Sequence, residues 1–422
     1  MLTPECNTYK VWSLESAVMK KEALWVFVVV WNIACLYGSR GCWEQEKVAL
    51  LALNVTLDPT YGMYAGGSYF DCCSWEGGFS NLMELDISDN TVDVVAIAEG
   101  GFSNLKELGI SGNLVDVVAI VEGIKNLNHL ENLYLDRVHL KDVGTIMRAL
   151  GALSSLKILS LQHNTIEGTI TTQDFRNFSK LEQLILDYSS LNTTMGILSS
   201  LGPLTSLRLL SSYSIDLSGK LSDQSLCNLI KLEELYLSIN GITGRLPTCW
   251  RNMTSIRVLF LEDNEFTNNI ASSLLTSLTS LELLSISGNY FDIPSSLGPL
   301  ANYSRLKVLL LDDNNLTTDS KVGSSISRFQ LIVFSVSNSL SKGFNVTSLG
   351  FLNHQYDLRT IDLSSNDIAG PFPAWLLENN TKLEHLLMEN NLFATLEVPL
   401  MTLRNLSVIG HVQQPHERRA HN

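Results

Sequence analysis

The chain has 422 residues, 45% of them hydrophobic, and a net charge of −14, so it is acidic and rich enough in apolar side chains to build a long core. No Lys/Arg cluster of useful size occurs, which argues against nucleic-acid binding. The eight histidines are scattered, and there is no Cys-x-x-Cys, His-x-x-x-His or Gly-x-Ser-x-Gly. No cofactor and no catalytic constellation is therefore expected, and an enzyme is the least favoured class.

Residues 1 to 18 show no periodicity. Met19-Lys20-Lys21 then leads into an apolar run, Ala23 to Tyr37, followed by small residues at Gly38, Ser39 and Gly41. A basic start, an apolar stretch and small residues describe a secretory signal peptide. The run is short for a bilayer span of about 20 residues and contains Asn32, although an uncleaved signal anchor is the alternative. Because 18 residues precede the basic start, Met19 is itself a candidate first residue. Residues 1–40 thus read as an extension plus signal peptide or anchor.

Residues 41–78 read as a separate N-terminal cap. Cys42-Trp-Glu-Gln-Glu-Lys-Val-Ala-Leu-Leu51-Ala-Leu53 has helical spacing of apolar residues, and Asp71-Cys72-Cys73-Ser74-Trp75 closes the segment. Cys42 can pair with Cys72 or Cys73, leaving one thiol over. Cys227 and Cys249 lie 22 residues apart.

Residues 79–401 carry the main pattern. Leu82-Met-Glu-Leu85-Asp-Ile87-Ser-Asp-Asn90 reads L-x-x-L-x-L-x-x-N, a leucine-rich repeat. Further copies begin at Leu105, Leu156, Leu232, Ile256, Leu281, Leu306, Leu358 and Leu383, with degenerate ones at Leu130, Leu181, Leu207 and Leu331. The thirteen starts are 23 to 27 residues apart. Alternation puts Leu85 and Ile87 on one strand face and Asp86 and Ser88 on the other. One repeat cannot bury its leucines alone, so coils must stack. The expected fold is an α/β repeat solenoid, a leucine-rich repeat horseshoe with parallel strands on its concave side. On that spacing Cys227 and Cys249 fall on adjacent coils and could pair.

The Asn that ends each strand should turn the chain and bond the neighbouring coil. Val138, Ser189, Ile215 and Ser339 replace it, so this ladder should be weakest in the third, fifth, sixth and eleventh repeats. Repeats one and two are near-duplicates, since Gly77-Gly-Phe-Ser-Asn-Leu recurs at Gly100 and Val92-Asp-Val-Val-Ala-Ile97 at Val115. Ile242-Thr-Gly-Arg-Leu-Pro247 and Ile368-Ala-Gly-Pro-Phe-Pro373 add a second signature of the plant-type form L-x-G-x-I-P, with partial copies at Ile166 and Leu217. Nine N-x-S/T sequons, at Asn54, Asn177, Asn192, Asn252, Asn302, Asn315, Asn345, Asn379 and Asn405, are candidate glycosylation sites on convex or flanking loops.

Outward strand positions expected on the concave face include Tyr134, Tyr188, Tyr213, Tyr236, Phe260, Glu262, Asp263, Leu310, Asp312 and Asp313. Exposed aromatics on consecutive strands supply rigid contact area, so Tyr213 to Asp313 is the candidate ligand-binding patch, for a ligand with apolar groups and some positive charge. The acidic pairs Glu262-Asp263 and Asp312-Asp313 are read as solvated, with no metal site expected.

More specific segments are Phe351-Leu-Asn-His-Gln-Tyr-Asp-Leu-Arg-Thr-Ile-Asp-Leu-Ser-Ser-Asn366, Phe372-Pro-Ala-Trp-Leu-Leu-Glu-Asn-Asn-Thr381, Leu226-Cys227-Asn-Leu and Leu246-Pro-Thr-Cys249-Trp. They resemble the plant receptor-like proteins, cell-surface receptors with a leucine-rich ectodomain, one membrane helix and no kinase, over about residues 19 to 401. The Cys42–Trp75 segment resembles the N-terminal cap of plant extracellular leucine-rich repeat proteins, without their Gly-Val-x-Cys continuation. The resemblance implies a peptide, glycan or protein ligand, a partner membrane receptor kinase, and a place in surface signalling or defence at the plasma membrane or outside the cell. Relative to that family the array is expected to be C-terminally truncated. Residues 402–422 hold an incomplete last repeat near Leu403 and a polar tail that cannot span a bilayer. A secreted decoy resembling polygalacturonase-inhibiting proteins and a non-functional receptor fragment are the competing readings.

Overall fold

A computed structural model describes residues 82–89, 102–113, 117–191, 196–222, 224, 226–270, 274–300, 302–317, 328–339, 346–393 and 408–409. The expected signal segment, the expected cap with Cys42, Cys72 and Cys73, the sequons Asn54, Asn192, Asn345 and Asn405, and the polar tail lie outside these residues. The chain forms two compact units, residues 1–169 with 174–181 and residues 170–173 with 182–422.

In the first unit the strands Glu84–Asp86, Glu107–Gly109, Asn132–Tyr134 and Ile158–Ser160 pair in parallel, one per repeat and in sequence order. Helices Val117–Ile124 and Val143–Leu150 return the chain between them. In the second unit ten strands follow the same rule: Gln183–Ile185, Leu209–Ser211, Glu234–Tyr236, Val258–Phe260, Leu283–Ser285, Val308–Leu310, Val333–Ser335, Thr360–Asp362, His385–Leu387 and Val408–Ile409. The register is one repeat to the next without slippage, as in Leu235, Leu259, Leu284 and Leu309, each opposite the last. The last pairing brings the incomplete repeat at Val408–Ile409 onto the thirteenth coil.

Strands of three residues have little stability of their own; they persist because the leucine frame beside them is buried. Leu232, Leu235 and Leu237 are fully excluded from solvent, as are their counterparts Ile256, Leu259 and Leu261. Burying one such side chain is worth about 1.5–3 kcal/mol, and each repeat supplies three. Ser212 breaks the frame by occupying a leucine slot in the sixth repeat. Its hydroxyl is buried and finds no partner among the described residues.

The turn after each strand has one geometry throughout. The residue before the ladder position has positive φ in all thirteen repeats, from Asp89 through Tyr188, Ile239 and Asp263 to Asn390, with glycine at 112 and 288. Asp and Asn tolerate this left-handed conformation; the β-branched Ile239, at φ 57°, is strained.

The Asn ladder bridges adjacent coils. Asn264 donates from Nδ2 to Leu237 O (2.8 Å) in the preceding coil and to Leu261 O (3.1 Å) and Glu262 O (3.0 Å) in its own. Its Oδ1 accepts from the Ile242 N–H at 2.9 Å. At three of the four positions without Asn, half of the ladder survives, because the accepting oxygen belongs to the next coil. Val138, Ile215 and Ser339 still donate their N–H to Asn164 (2.7 Å), Asn240 (3.0 Å) and Asn366 (2.9 Å). Ser339 restores part of the other half, its hydroxyl donating to Leu311 O (3.2 Å). The eleventh repeat is therefore less weakened than the lost Asn suggests.

Beyond the ladder lies an element that the sequence did not reveal. In the second unit Gly219–Lys220, Ile242–Gly244, Glu265–Asn269, Tyr290–Pro294 and Asn315–Thr317 form a second parallel sheet past the ladder. The signature glycines at 219 and 244 have φ of 118° and 86°, a region closed to most side chains. Cys227 and Cys249 are joined on adjacent coils, with Cα atoms 5.5 Å apart.

Candidate ligand-binding face

The strand positions that alternate with the buried leucines form the open face of each unit. In the second unit they, together with the turn residue Tyr188, bring together aromatics from four successive repeats. Tyr188 and Tyr213 rings lie 5.1 Å apart and tilted, while Tyr236 and Phe260 stack at 5.2 Å with only 14° between planes. Each pair joins residues about one repeat apart in sequence, so the contact exists only because the coils are in register. Ile239, a residue the sequence pattern did not single out, is 41% exposed in the same stretch of repeats, and Tyr188 is 52% exposed.

Carboxylates surround these rings. The Tyr236 hydroxyl donates to Glu234 Oε2 at 2.9 Å. Partial burial, that hydrogen bond, and the charges of Glu234 and Asp187 push the Tyr236 phenol up to about 12. Tyr213 is also raised, by burial first, then by Tyr188 and the charges of Asp263 and Glu262. Both phenols are therefore neutral at physiological pH, and the field around them is negative.

Some of the acidic residues also serve the fold. Asp187 Oδ1 accepts from the Ser211 hydroxyl (2.7 Å) and the Tyr213 N–H (2.8 Å) one coil on. Glu262 takes the Ser285 hydroxyl, Asp312 takes the Ser335 hydroxyl and Ser337 N–H, and in the first unit Asp136 takes Ser160 (2.6 Å) and Gln162 N–H (2.8 Å). An acid on one coil holding a serine of the next thus recurs four times. Asp263 and Asp313 occupy the exposed left-handed turn position, and Asp313 accepts from Asn338.

The sequence-derived patch divides accordingly. Tyr213, Tyr236, Phe260, Glu262 and Asp263 occupy consecutive repeats. Leu310, Asp312 and Asp313 stand two strands further on, with Ser285 set between Phe260 and Leu310 in register. Tyr134 is half-buried in the first unit, its phenol raised by burial and by Glu107 and Asp136.

A charge ladder marks the position after the repeat start from the second to the tenth repeat, and its alternation was legible in the sequence. In the second unit Glu182, Arg208, Glu233, Arg257, Glu282 and Lys307 alternate in sign. Arg208 meets Glu233 at 2.6 Å and Arg257 meets Glu282 through Nε (3.0 Å) and Nη2 (2.9 Å). Lys106, Glu131 and Lys157 repeat the pattern in the first unit, where Lys157 holds Glu131 at 2.6 Å. Among the sequons, Asn177, Asn252, Asn302 and Asn379 all precede a repeat start by four residues and so share one corner of the coil; Asn315 sits instead in the second sheet. Among the described residues no group of three or more His, Cys, Asp or Glu could hold a metal, and no helix is long and apolar enough to cross a membrane.

These features meet known proteins at several points. The leucine-rich repeat family model matches residues 231–253. Receptor-like protein 15 of Arabidopsis thaliana is 34% identical over 409 residues, 89% of this chain and 41% of its own length. The chain carries leucine-rich repeats and along most of its length is similar to plant receptor-like proteins. Cuscuta receptor 1 of Solanum lycopersicum is 36% identical over 51% of this chain and 20% of its own length. The chain thus spans less than half the length of the curated relatives it matches. The leucine-rich repeat ectodomain of the Arabidopsis receptor kinase HAESA, solved with an N-terminally extended IDA peptide hormone, matches in fold with a TM-score of 0.61 at 22% identity, covering 83% of this chain and 62% of that one.

Proposed function

We propose that this array is the extracellular recognition part of a plant receptor-like protein, non-catalytic, and that it binds a peptide or protein ligand on the open face of repeats five to eight. The reading rests on one observation above the others: four aromatic side chains in successive repeats, one pair tilted and one stacked, ringed by Asp187, Glu234, Glu262 and Asp263. Flat rings in a negative field suit a ligand segment that carries a cationic side chain next to apolar ones, since the cation gains from both the ring faces and the carboxylates. The relatives' receptor names and the peptide hormone seated on the HAESA ectodomain support recognition as the task. A cell-surface or extracellular location, and signalling through a partner receptor kinase, are part of the proposal and are supported by the same likeness.

The test uses a displayed random-peptide library panned on the array and counter-screened on the Tyr236→Ala/Phe260→Ala double variant. Enrichment of Lys- or Arg-containing peptides that bind the parent at least tenfold better than the variant supports the proposal. Peptides that bind both proteins equally would remove its basis.

A further inference from the structure

The second sheet carries a feature that the open face does not explain. In the strands Tyr290–Pro294 and Asn315–Thr317, Asp292 faces Asn315 and Pro294 faces Thr317. Phe291, Ile293 and Leu316 point into the core, so alternation leaves Tyr290, Asp292, Asn315 and Thr317 on the outer surface. There a shallow recess of about 410 Å³ is lined by Asn289, Tyr290, Asp313, Asn314, Asn315 and Asn338. Tyr290 is 64% exposed, which is unusual for a large ring beside a recess. Asn289 and Asn314 belong to the buried ladder, so Tyr290 and the bonded Asp313–Asn338 pair are the groups that remain to meet an occupant. Asn315-Leu316-Thr317 is itself a sequon.

We infer that this recess is a carbohydrate subsite for the chain's own modification: the first N-acetylhexosamine on Asn315 lies against the Tyr290 ring, with Asp313 and Asn338 facing its polar groups. A flat aromatic for the apolar sugar face and planar amide and carboxylate groups for its hydroxyls are the chemistry such a ring needs. In the transfer, the anomeric carbon leaves the pyrophosphate of a lipid-linked oligosaccharide and bonds to Asn315 Nδ2, which gives up one of its two protons. The other N–H remains able to donate to Asp292 Oδ1, its partner at 2.5 Å. The inference rests on passage through the secretory pathway, as the proposed function does.

The test compares the full chain, secreted from eukaryotic cells, with Thr317→Ala, Tyr290→Ala and the double variant. Peptide mass analysis reads occupancy at Asn315 and, separately, at Asn252 and Asn302. Asn315 should be occupied, and Thr317→Ala should lower the melting midpoint by about 2–4 °C. In the Tyr290→Ala background the same change should do much less; loss of the Thr317 hydroxyl is common to both backgrounds and cancels. Trimming to a single sugar should preserve the midpoint. As a second readout that needs no variant of Tyr290, nitration of that ring should be slower in the parent than in Thr317→Ala. Glycans at Asn252 and Asn302 with a bare Asn315, or equal shifts in both backgrounds with unchanged nitration, overturn the subsite. Absence of glycan at all three sites overturns the export reading along with it.

Discussion

At the entry to six successive strands of the second unit, from Glu182 to Lys307, the chain sets charges of alternating sign, and at the exit of most strands it sets Asn. Both series link one coil to the next about 25 residues on, and both recur through consecutive repeats. They differ in their surroundings. Arg257 and Glu282 are 47% and 36% exposed, so water and salt compete for the pair. Asn264 is 5% exposed and answers two backbone carbonyls of its own coil, one of the preceding coil, and that coil's Ile242 N–H. The comparison teaches that burial, more than the number of links, decides which edge holds the array. The entry edge sets which coil can sit beside which, since a coil displaced by one place would set like charges against each other.

The sharpest way to break this comparison is Asn264→Ala, which should cost about 1–3 kcal/mol by leaving buried backbone groups unpaired, read as a drop in the denaturation midpoint. An unchanged midpoint would sink the ladder as a stabilising device. Two further variants improve the exit side. Ser212→Ala removes a buried hydroxyl without a partner and should raise stability by about 1 kcal/mol in chemical denaturation. Ile239→Asn relieves a β-branched residue held at positive φ and should gain about 1 kcal/mol. If peptide binding falls in that variant while the midpoint rises, strain at Ile239 is maintained for recognition. The smallest effect belongs to the entry edge. Arg257→Gln should lower the midpoint only slightly at low salt, and the difference should fade as salt is added.

The same pair has a pH signature. Hydrogen bonding and charge from Arg257 hold Glu282 below the ordinary carboxylate range. A depressed acid adds its stability above the unfolded pKa and loses it as pH falls through the folded value. The acid limb of the stability curve should therefore be slightly shallower in Arg257→Gln than in the parent, and identical limbs would show that the pair does not couple to folding.

Leucine spacing made the coils legible, and the fixed Asn made the ladder legible, because both are periodic and each repeat states them again. Cys227 and Cys249 were placed on adjacent coils by the same arithmetic. Periodicity could not show that the residue before each ladder position is left-handed, since Arg137, Tyr188 and Ile239 occupy it without any turn propensity to betray it. Nor could it show the second sheet, because the apolar residue two places after the ladder, as at Ile242, Phe266, Phe291 and Leu316, reports burial and does not announce strand pairing.

The sequence by itself determined the stacking unit, the buried frame and the edge that carries the Asn. Which side chains touch across the open face was decided only by the tertiary structure. Tyr236 and Phe260 are 24 residues apart and become stacked partners because strand register sets them opposite, while Leu310 is separated from Phe260 by Ser285. Core positions are dictated by hydrophobicity, which the sequence states directly. Surface neighbours depend on register and on side-chain direction, which exist only once the coils have closed on one another.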